Sequence, residues 1–405
     1  MGWTGANLNE MKSTSSEKDY VIRVFDDPAD IDPAAWDSLL ATRPSSTPFM
    51  QHAYLLALHR SASAVAETGW LPQFLAVFDT DTLIAACPLY LKEHSYGEYV
   101  FDWAWADAYQ RHGLRYYPKL LAAVPFTPVP GPRLMARDAT ARRVLLRAMQ
   151  QFARDAKLSS AHVLFLDDAD QQAARDEGWM MRSTVQFHWT QRDGLDPEHA
   201  PWPDFTAFLA SMQREKRKKI QQERRRVTDA GVSFVELEGT QITPHDWDFF
   251  YRCYCQTYRE HRSTPYLTRD FFARMASAMP ANWLLFVALK DGERIAASLV
   301  CIDPAAKTAF GRYWGALVHI PCLHFEACYY RPLAWCIANG YLRFEGGAQG
   351  EHKMARGLLP VQTWSAHWLA HPQFAQAVGD FLEREGAGVA GYLDELNDRR
   401  PFKAA

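Results

Sequence analysis

Residues 74–87 read Phe-Leu-Ala-Val-Phe-Asp-Thr-Asp-Thr-Leu-Ile-Ala-Ala-Cys, and residues 286–298 read Phe-Val-Ala-Leu-Lys-Asp-Gly-Glu-Arg-Ile-Ala-Ala-Ser. Each is an apolar run, a short polar turn and a second apolar run, the pattern of a β-hairpin, with Asp-Gly at the second turn. The two lie about 212 residues apart. Two further pairs follow in the same order at nearly the same offset. Tyr99-Val-Phe-Asp-Trp103 faces Ala309-Phe-Gly-Arg-Tyr-Trp-Gly315, and Tyr116-Tyr-Pro-Lys-Leu120 faces Tyr329-Tyr-Arg-Pro-Leu333. That order implies one domain duplicated in tandem.

Working outward from the second hairpin, the apolar periodicity predicts a helix over 203–229, a strand at 232–236, and helices at 245–259 and 268–278. Strands follow at 284–290, 293–302 and 307–315, then a helix at 323–339 and a strand at 341–346. A Gly-rich loop, a strand at 362–369 and a helix at 372–386 complete the half. The first half reads similarly: strand 20–25, helices 32–41 and 50–61, strands 72–79, 82–92 and 99–103. A helix near 114–123, a helix at 138–157 and strands at 162–167 and 180–190 end it. A meander plus a crossover helix means a mixed, mostly antiparallel α/β sheet in each half. The expected division is a flexible tail 1–19, a first domain 20–190, a linker 191–203, a second domain 204–390 opening on a basic helix 204–229, and a tail 391–405.

The 405 residues are 48% hydrophobic and carry a net charge of -3, so long disorder and global polyanion binding are both excluded. The seven cysteines form no C-x-x-C pair and read as reduced core residues, which favours the cytosol. No apolar run approaches the ~18 residues of a membrane span.

Three segments carry chemistry. From Ser211 to Arg226 there are eight basic residues against two glutamates: Arg214, Lys216, Arg217, Lys218, Lys219, Arg224, Arg225 and Arg226. Phe208, Met212, Ile220 and Val227 give the same stretch an apolar stripe, so it docks on one side. Its basic side is either solvated or meets nucleic-acid phosphates. In His319–Tyr330, Glu326 and Tyr330 fall one turn apart with Tyr329 alongside, and a carboxylate among aromatics can serve as a base. A satisfied ion-pair partner in the core is the other reading of Glu326. In Phe344–Pro360, glycines punctuate Glu345, Gln349, Glu351, His352, Lys353 and Arg356, which is the composition of a site after a strand. There is no Walker loop and no G-x-S-x-G elbow. His367 and His371 are separated by a strand end before Pro372, and no metal is expected. Asp102 and Asp107, with Arg111 and His112 nearby, could mirror the second site; Trp103 and Trp105 beside them fit an aromatic-lined cleft and fit core packing equally well.

His324-Phe-Glu-Ala-Cys-Tyr-Tyr330, Gly347-Ala-Gln-Gly-Glu-His-Lys353, Arg356-Gly357 and Ser365-Ala-His-Trp368 resemble the bacterial FemAB-like family, and so do Ser95–Trp103, Tyr116–Lys119 and Val124-Pro-Phe-Thr-Pro-Val129 in the first half. The resemblance covers roughly 20–390. It implies two tandem GNAT-type domains and an N-acyltransferase without bound cofactor or metal. Relatives move an amino acid from aminoacyl-tRNA to an amine of a peptidoglycan precursor. A lysine before Gly-Phe, implicated near their reacting centre, has Lys353 as its counterpart. The acetyl-CoA loop of ordinary GNAT enzymes has no good match, so acyl-CoA is the alternative donor. A cell-wall-precursor binding protein without turnover is the non-catalytic alternative. The residues expected to react are Lys353, Glu326, Glu351 and His352. Those expected to bind substrate are His324, Tyr329, Tyr330, Gln349, Gly350, Arg356, Trp103 and Asp107, and the eight basic residues of the helix are expected to meet tRNA.

Overall fold

A computed structural model describes residues 10–15, 18–192, 200–348 and 350–403. The chain forms two compact units, Met1–Thr184 with Thr363–Ala390, and Val185–Gln362 with Gly391–Ala405. This division differs from the expected one. The first boundary falls inside a strand, the segment 363–390 belongs to the first unit, and 391–403 is no loose tail. Of the expected linker, 193–199 lies outside the described residues.

In the first unit β1 (Glu10–Ser15) pairs antiparallel with β2 (Lys18–Phe25), so part of the expected tail covers an edge of that sheet. After β3 (Trp70–Pro72) come β4 (Phe74–Asp79), β5 (Thr82–Cys87) and β6 (Leu89–Lys92), then β7 (Lys119–Ala122) and β8 (Met135–Ala136). One sheet runs β1-β2-β4-β5-β8. A second set runs β3-β6-β7 and continues to β9 (Ser160–Val163), which lies parallel to β7. Helix Ala139–Asp155 makes that crossover and buries Val144, Leu145, Ala148, Met149 and Phe152 at helical spacing. Residues 366–369 return to pair with β9, and β10 (Met180–Thr190) leads into the second unit.

Two expectations fail here. Tyr99–Trp103 is not a strand: Trp103–Arg111 is helical, because Ala104, Ala106 and Ala108 favour a helix and Trp105 and Tyr109 bury at i,i+4. Residues 114–123 are not a helix. Leu120-Leu-Ala122 is buried between two partner strands, where an unbroken apolar run is at home. The first-half aromatic segments therefore have no structural match to Ala309–Gly315 or Tyr329–Leu333. The hairpins do match. The register of β4 with β5 slips between Val77 and Phe78, and the second hairpin slips between Ala288 and Leu289, 211 residues on. A bulge recurring at one place marks a shared ancestor hairpin more sharply than its apolar letters do.

A buried ionic group holds the helix Trp103–Arg111 on this unit. Lys119 Nζ, 1% exposed, donates to Glu98 (2.8 Å), to Ser95 (2.9 Å) and to Asp102 at the helix start. The Tyr116 hydroxyl donates to Asp102 at 2.6 Å. Burial, opposed by Lys119, pushes the Glu98 carboxyl up to about 7.

The second unit is a sheet in the order β11-β12-β13-β14-β15-β10, with β11 (Val232–Glu238), β12 (Trp283–Lys290), β13 (Glu293–Asp303), β14 (Thr308–Ala316) and β15 (Arg343–Ala348). β12, β13 and β14 form the expected three-strand meander, and β11 pairs antiparallel on the outer edge of β12. β14 and β15 run parallel through only three pairs, Thr308↔Arg343 to Phe310↔Glu345, and then part. Helix Pro244–Glu260 crosses β14 closely: a Cβ on Gly315 would stand 1.9 Å from the Cys253 carbonyl oxygen. The helix expected over 203–229 is two, Phe205–Ser211 and Arg214–Asp229. Met212 turns extended between them because it bridges to Phe402, and the Gln213 N–H donates to the Pro401 carbonyl at 2.8 Å. Helix Pro372–Asp398 carries the chain past the expected tail boundary, and Phe402 stacks on Trp202. β16 (Leu359–Leu369) passes from this unit into the first.

Candidate functional site

The centre of the second unit is built on the helical run Leu323–Ala338 and on Glu351–Arg356. The run changes to π geometry over Glu326–Tyr330, just before Pro332, whose ring cannot sit against the carbonyl four residues back in an unbroken α-helix. Glu351–Arg356 is a 3-10 helix between Gly350 (φ 108°) and Gly357 (φ 88°), and only glycine takes such angles without strain. The two glycines thus frame the short helical turn that carries His352, Lys353 and Arg356.

Lys353 is buried, with its ammonium donating to the Gly347 and Ala348 carbonyls at 3.2 Å each. No carboxylate pairs with it among the described residues. Burial pulls its pKa down to about 8. Beside it in sequence, His352 Nε2 and the Tyr329 hydroxyl share a 3.2 Å hydrogen bond. Burial, then Arg356 and Lys353, lower the His352 pKa, so the ring is neutral near pH 7. His324 packs edge-on to Tyr329 at 5.7 Å, and burial with the same cationic surroundings lowers it to about 4. Burial raises Tyr329, which stays a neutral hydroxyl.

The other expected residues are tied down. Glu326 is 3% exposed and accepts from Arg224 (3.1 Å) and Arg331 (2.9 Å). Both oxygens face guanidinium donors, Oε1 those of Arg224 and Arg331 and Oε2 that of Arg224, the arrangement of an ion-pair partner. Tyr330 donates to Glu223, which also accepts from Arg356 at 3.1 Å. The Arg356 guanidinium lies 3.5 Å from the centre of the Phe325 ring. Exposed Glu351 accepts from Tyr392. Gln349 lies outside the described residues. Trp103 and Asp107 belong to the first unit, where with Gln110, Arg115 and Tyr117 they line a cavity of about 450 Å³.

On the basic helix, Arg214, Lys218, Lys219, Arg225 and Arg226 are exposed, and Lys216 and Arg217 partly so. Arg224 is spent on Glu326. Glu223 and Arg331 were not among the expected residues. Glu223 stands at i+3 from Ile220 and i-4 from Val227, so the apolar stripe runs through it, and an acid in that stripe is the signal of a buried partner. Glu345, in the same Gly-rich stretch, carries no expected role. It is buried where β14 and β15 part, its Oε2 lies 3.9 Å from His188 Nε2 without a hydrogen-bond partner among the described residues, and burial raises it to about 7.

The sequence profile of a FemAB-like family described as peptidoglycan biosynthesis/recognition matches residues 27–404. No curated protein matches the sequence. Among solved structures, the C-terminal domain of a putative lysylphosphatidylglycerol synthetase from Agrobacterium fabrum has a TM-score of 0.52 at 12% identity, over 87% of this chain and 95% of that one. FemX has a TM-score of 0.51 at 11% identity, over 86% and 98%. L-PGS from Bacillus licheniformis has a TM-score of 0.50 at 10% identity, over 87% and 97%. At such identities the likeness is one of fold. Among the described residues no helix is long and apolar enough to cross a membrane.

Proposed function

This chain belongs to the FemAB-like family, and on that premise we propose that it is an N-acyltransferase whose second unit transfers an aminoacyl group from aminoacyl-tRNA to an amine of a peptidoglycan-precursor-like acceptor. The observation that carries this reading is Lys353, a buried ammonium without a carboxylate partner among the described residues, cradled by two carbonyls beside a neutral histidine. Aminolysis of an ester needs a neutral amine, a home for the oxyanion and a route for one proton. Lys353 donates to the carbonyl oxygen as it gains charge. His352, neutral and oriented by Tyr329, accepts the proton released by the attacking nitrogen and returns it to the ribose oxygen, which leaves as a hydroxyl when the ester C–O bond breaks. The exposed residues of the basic helix supply phosphate contacts for the donor.

The test is donor loss followed by mass spectrometry, with charged tRNA and acyl-CoA offered separately. K353M should abolish transfer at an unchanged fold, and H352A should slow it by 10²–10⁴. Consumption of acyl-CoA alone would replace the tRNA donor. Full activity in K353M would remove the site.

A further inference from the structure

The basic helix is tied to the π segment by a cluster with more positive than negative charge. The Glu326 side chain, 4% exposed, accepts at Oε1 from Arg224 Nη2 (3.1 Å) and Arg331 Nε (2.9 Å), and at Oε2 from Arg224 Nε (3.1 Å). Arg224 comes from the helix Arg214–Asp229, and Arg331 opens the helix Arg331–Ala338. Two separate elements thus bring two guanidinium groups side by side on one carboxylate. Neither arginine has a second acidic partner among the described residues. Neutralising Glu326 takes one of them, and the charge of the other is left over.

Both groups remain open to a ligand. The Arg224 side chain is 31% exposed and that of Arg331 34%. Arg224 gives Nε and Nη2 to Glu326 and keeps Nη1, while Arg331 gives only Nε; the remaining terminal nitrogens have no hydrogen-bond partner among the described residues. Each group is also fixed on its flat face. The guanidinium carbon of Arg224 lies 4.9 Å from the centre of the Phe205 ring and that of Arg331 4.9 Å from the centre of the Phe234 ring, and both rings pack against the hydrophobic core of this unit. A mobile surface arginine gives up rotamer freedom when it takes an anion, whereas these two are held already by folding. Paired guanidinium groups with spare N–H groups and a set orientation match the oxygens of a phosphate.

We propose that Arg224 and Arg331, aligned by Glu326, form a clamp for one phosphate group of the acyl donor. That the phosphate belongs to the donor rests on the acyl-transfer reading above; that a phosphate binds there does not. Arg331 lies outside the basic stretch of the sequence, so the clamp adds to the helix a contact that its charge run does not contain.

A fluorescent, uncharged acceptor-stem minihelix is titrated with the full chain by anisotropy at several salt concentrations, and coenzyme A and inorganic phosphate are titrated by calorimetry. R331M should weaken binding of the phosphate source by about tenfold or more. For the minihelix it should also lower the log–log salt slope by about 0.7–0.9, one phosphate's share by analogy with DNA. R225M removes an exposed neighbour with no carboxylate or ring to fix it and should cost only about twofold. If R331M does not show a folded urea transition, R331K is measured instead; it keeps a charge beside Glu326, loses the fork and should weaken binding severalfold. A loss seen with the minihelix, with coenzyme A or with inorganic phosphate supports the clamp and identifies its source of phosphate. Binding of all three unchanged in the variant, or a loss no larger than that of R225M, overturns the clamp. None of these titrations involves turnover, so absence of transfer activity refutes the acyl-transfer reading and leaves the clamp to be judged on binding.

Discussion

Removing Glu223 should unfold the second unit more readily than any loss of surface charge. Glu223 is buried, accepts the Tyr330 hydroxyl and binds Arg356 at 3.1 and 3.3 Å, while Arg356 itself is 4% exposed. In E223A the guanidinium stays buried opposite an empty space, because its stacking on Phe325 and its donation to the His352 carbonyl hold it there. Breaking a buried pair from one side costs about 3–5 kcal/mol. For a unit of this size that is a fall in melting temperature of roughly 6–20 °C. E223A/R356M removes both charges and should be milder than E223A alone, with a coupling of roughly 2–3 kcal/mol in the four-member cycle. E223Q keeps an acceptor for Tyr330 and should fall between. Urea unfolding of the four proteins reads these numbers directly. A loss below about 1 kcal/mol in E223A, or a double variant as unstable as the sum, would refute the claim that this pair anchors the basic helix.

Because burial lowers Lys353 to about 8 from an ordinary 10.5, the folded protein binds fewer protons than the unfolded between those values, so stability should rise across pH 8–10.5. K353M should lose that rise, roughly 3 kcal/mol at most, in melting curves taken at several pH values. Glu98 has the opposite sign: its raised carboxyl, about 7 against 4.5, makes stability fall as pH climbs between them, and E98Q should flatten that limb of the profile. Changing Lys218, Lys219 and Arg225 to Glu should weaken tRNA binding by about tenfold or more and flatten its salt dependence, by analogy with duplex DNA. Equal binding by wild type and the triple variant, titrated by fluorescence anisotropy, would take the helix out of donor recognition. G315A drives a Cβ into the Cys253 carbonyl and should cost about 3 kcal/mol or more in calorimetry.

Much of the second unit could be read from the chain because its local and tertiary demands agree. Strands at 283–290 and 293–303 are long apolar runs joined by the Asp-Gly turn a hairpin needs, and the structure keeps both. The first unit was harder where burial replaces periodicity. Leu120-Leu-Ala122 has no alternation, since both faces are covered, and so it resembled a helix segment. The break at Met212 has no glycine or proline to announce it, for its cause lies almost two hundred residues away at Pro401. At the site, the sequence supplied the cast: Lys353, His352, Tyr329 and His324 do gather. It did not supply the pairings. Spacing alone made Glu326 look like a base flanked by aromatics, and only packing reveals that Arg224 and Arg331 take both its oxygens.

The path of β16 sets the order in which this protein can be finished on the ribosome. Domains usually complete in the order in which they are synthesised. Here residues 366–369 supply the partner of β9, and Leu369, Val378 and Leu382 pack with Trp105 and Tyr109, so the amino-terminal unit waits for residues made after nearly the whole of the other one. Until then β9 presents an unpaired edge to solvent or to a chaperone. A fragment ending near residue 190 should therefore be aggregation-prone, and a swap of the 363–390 segment between two nascent copies is the error this topology invites.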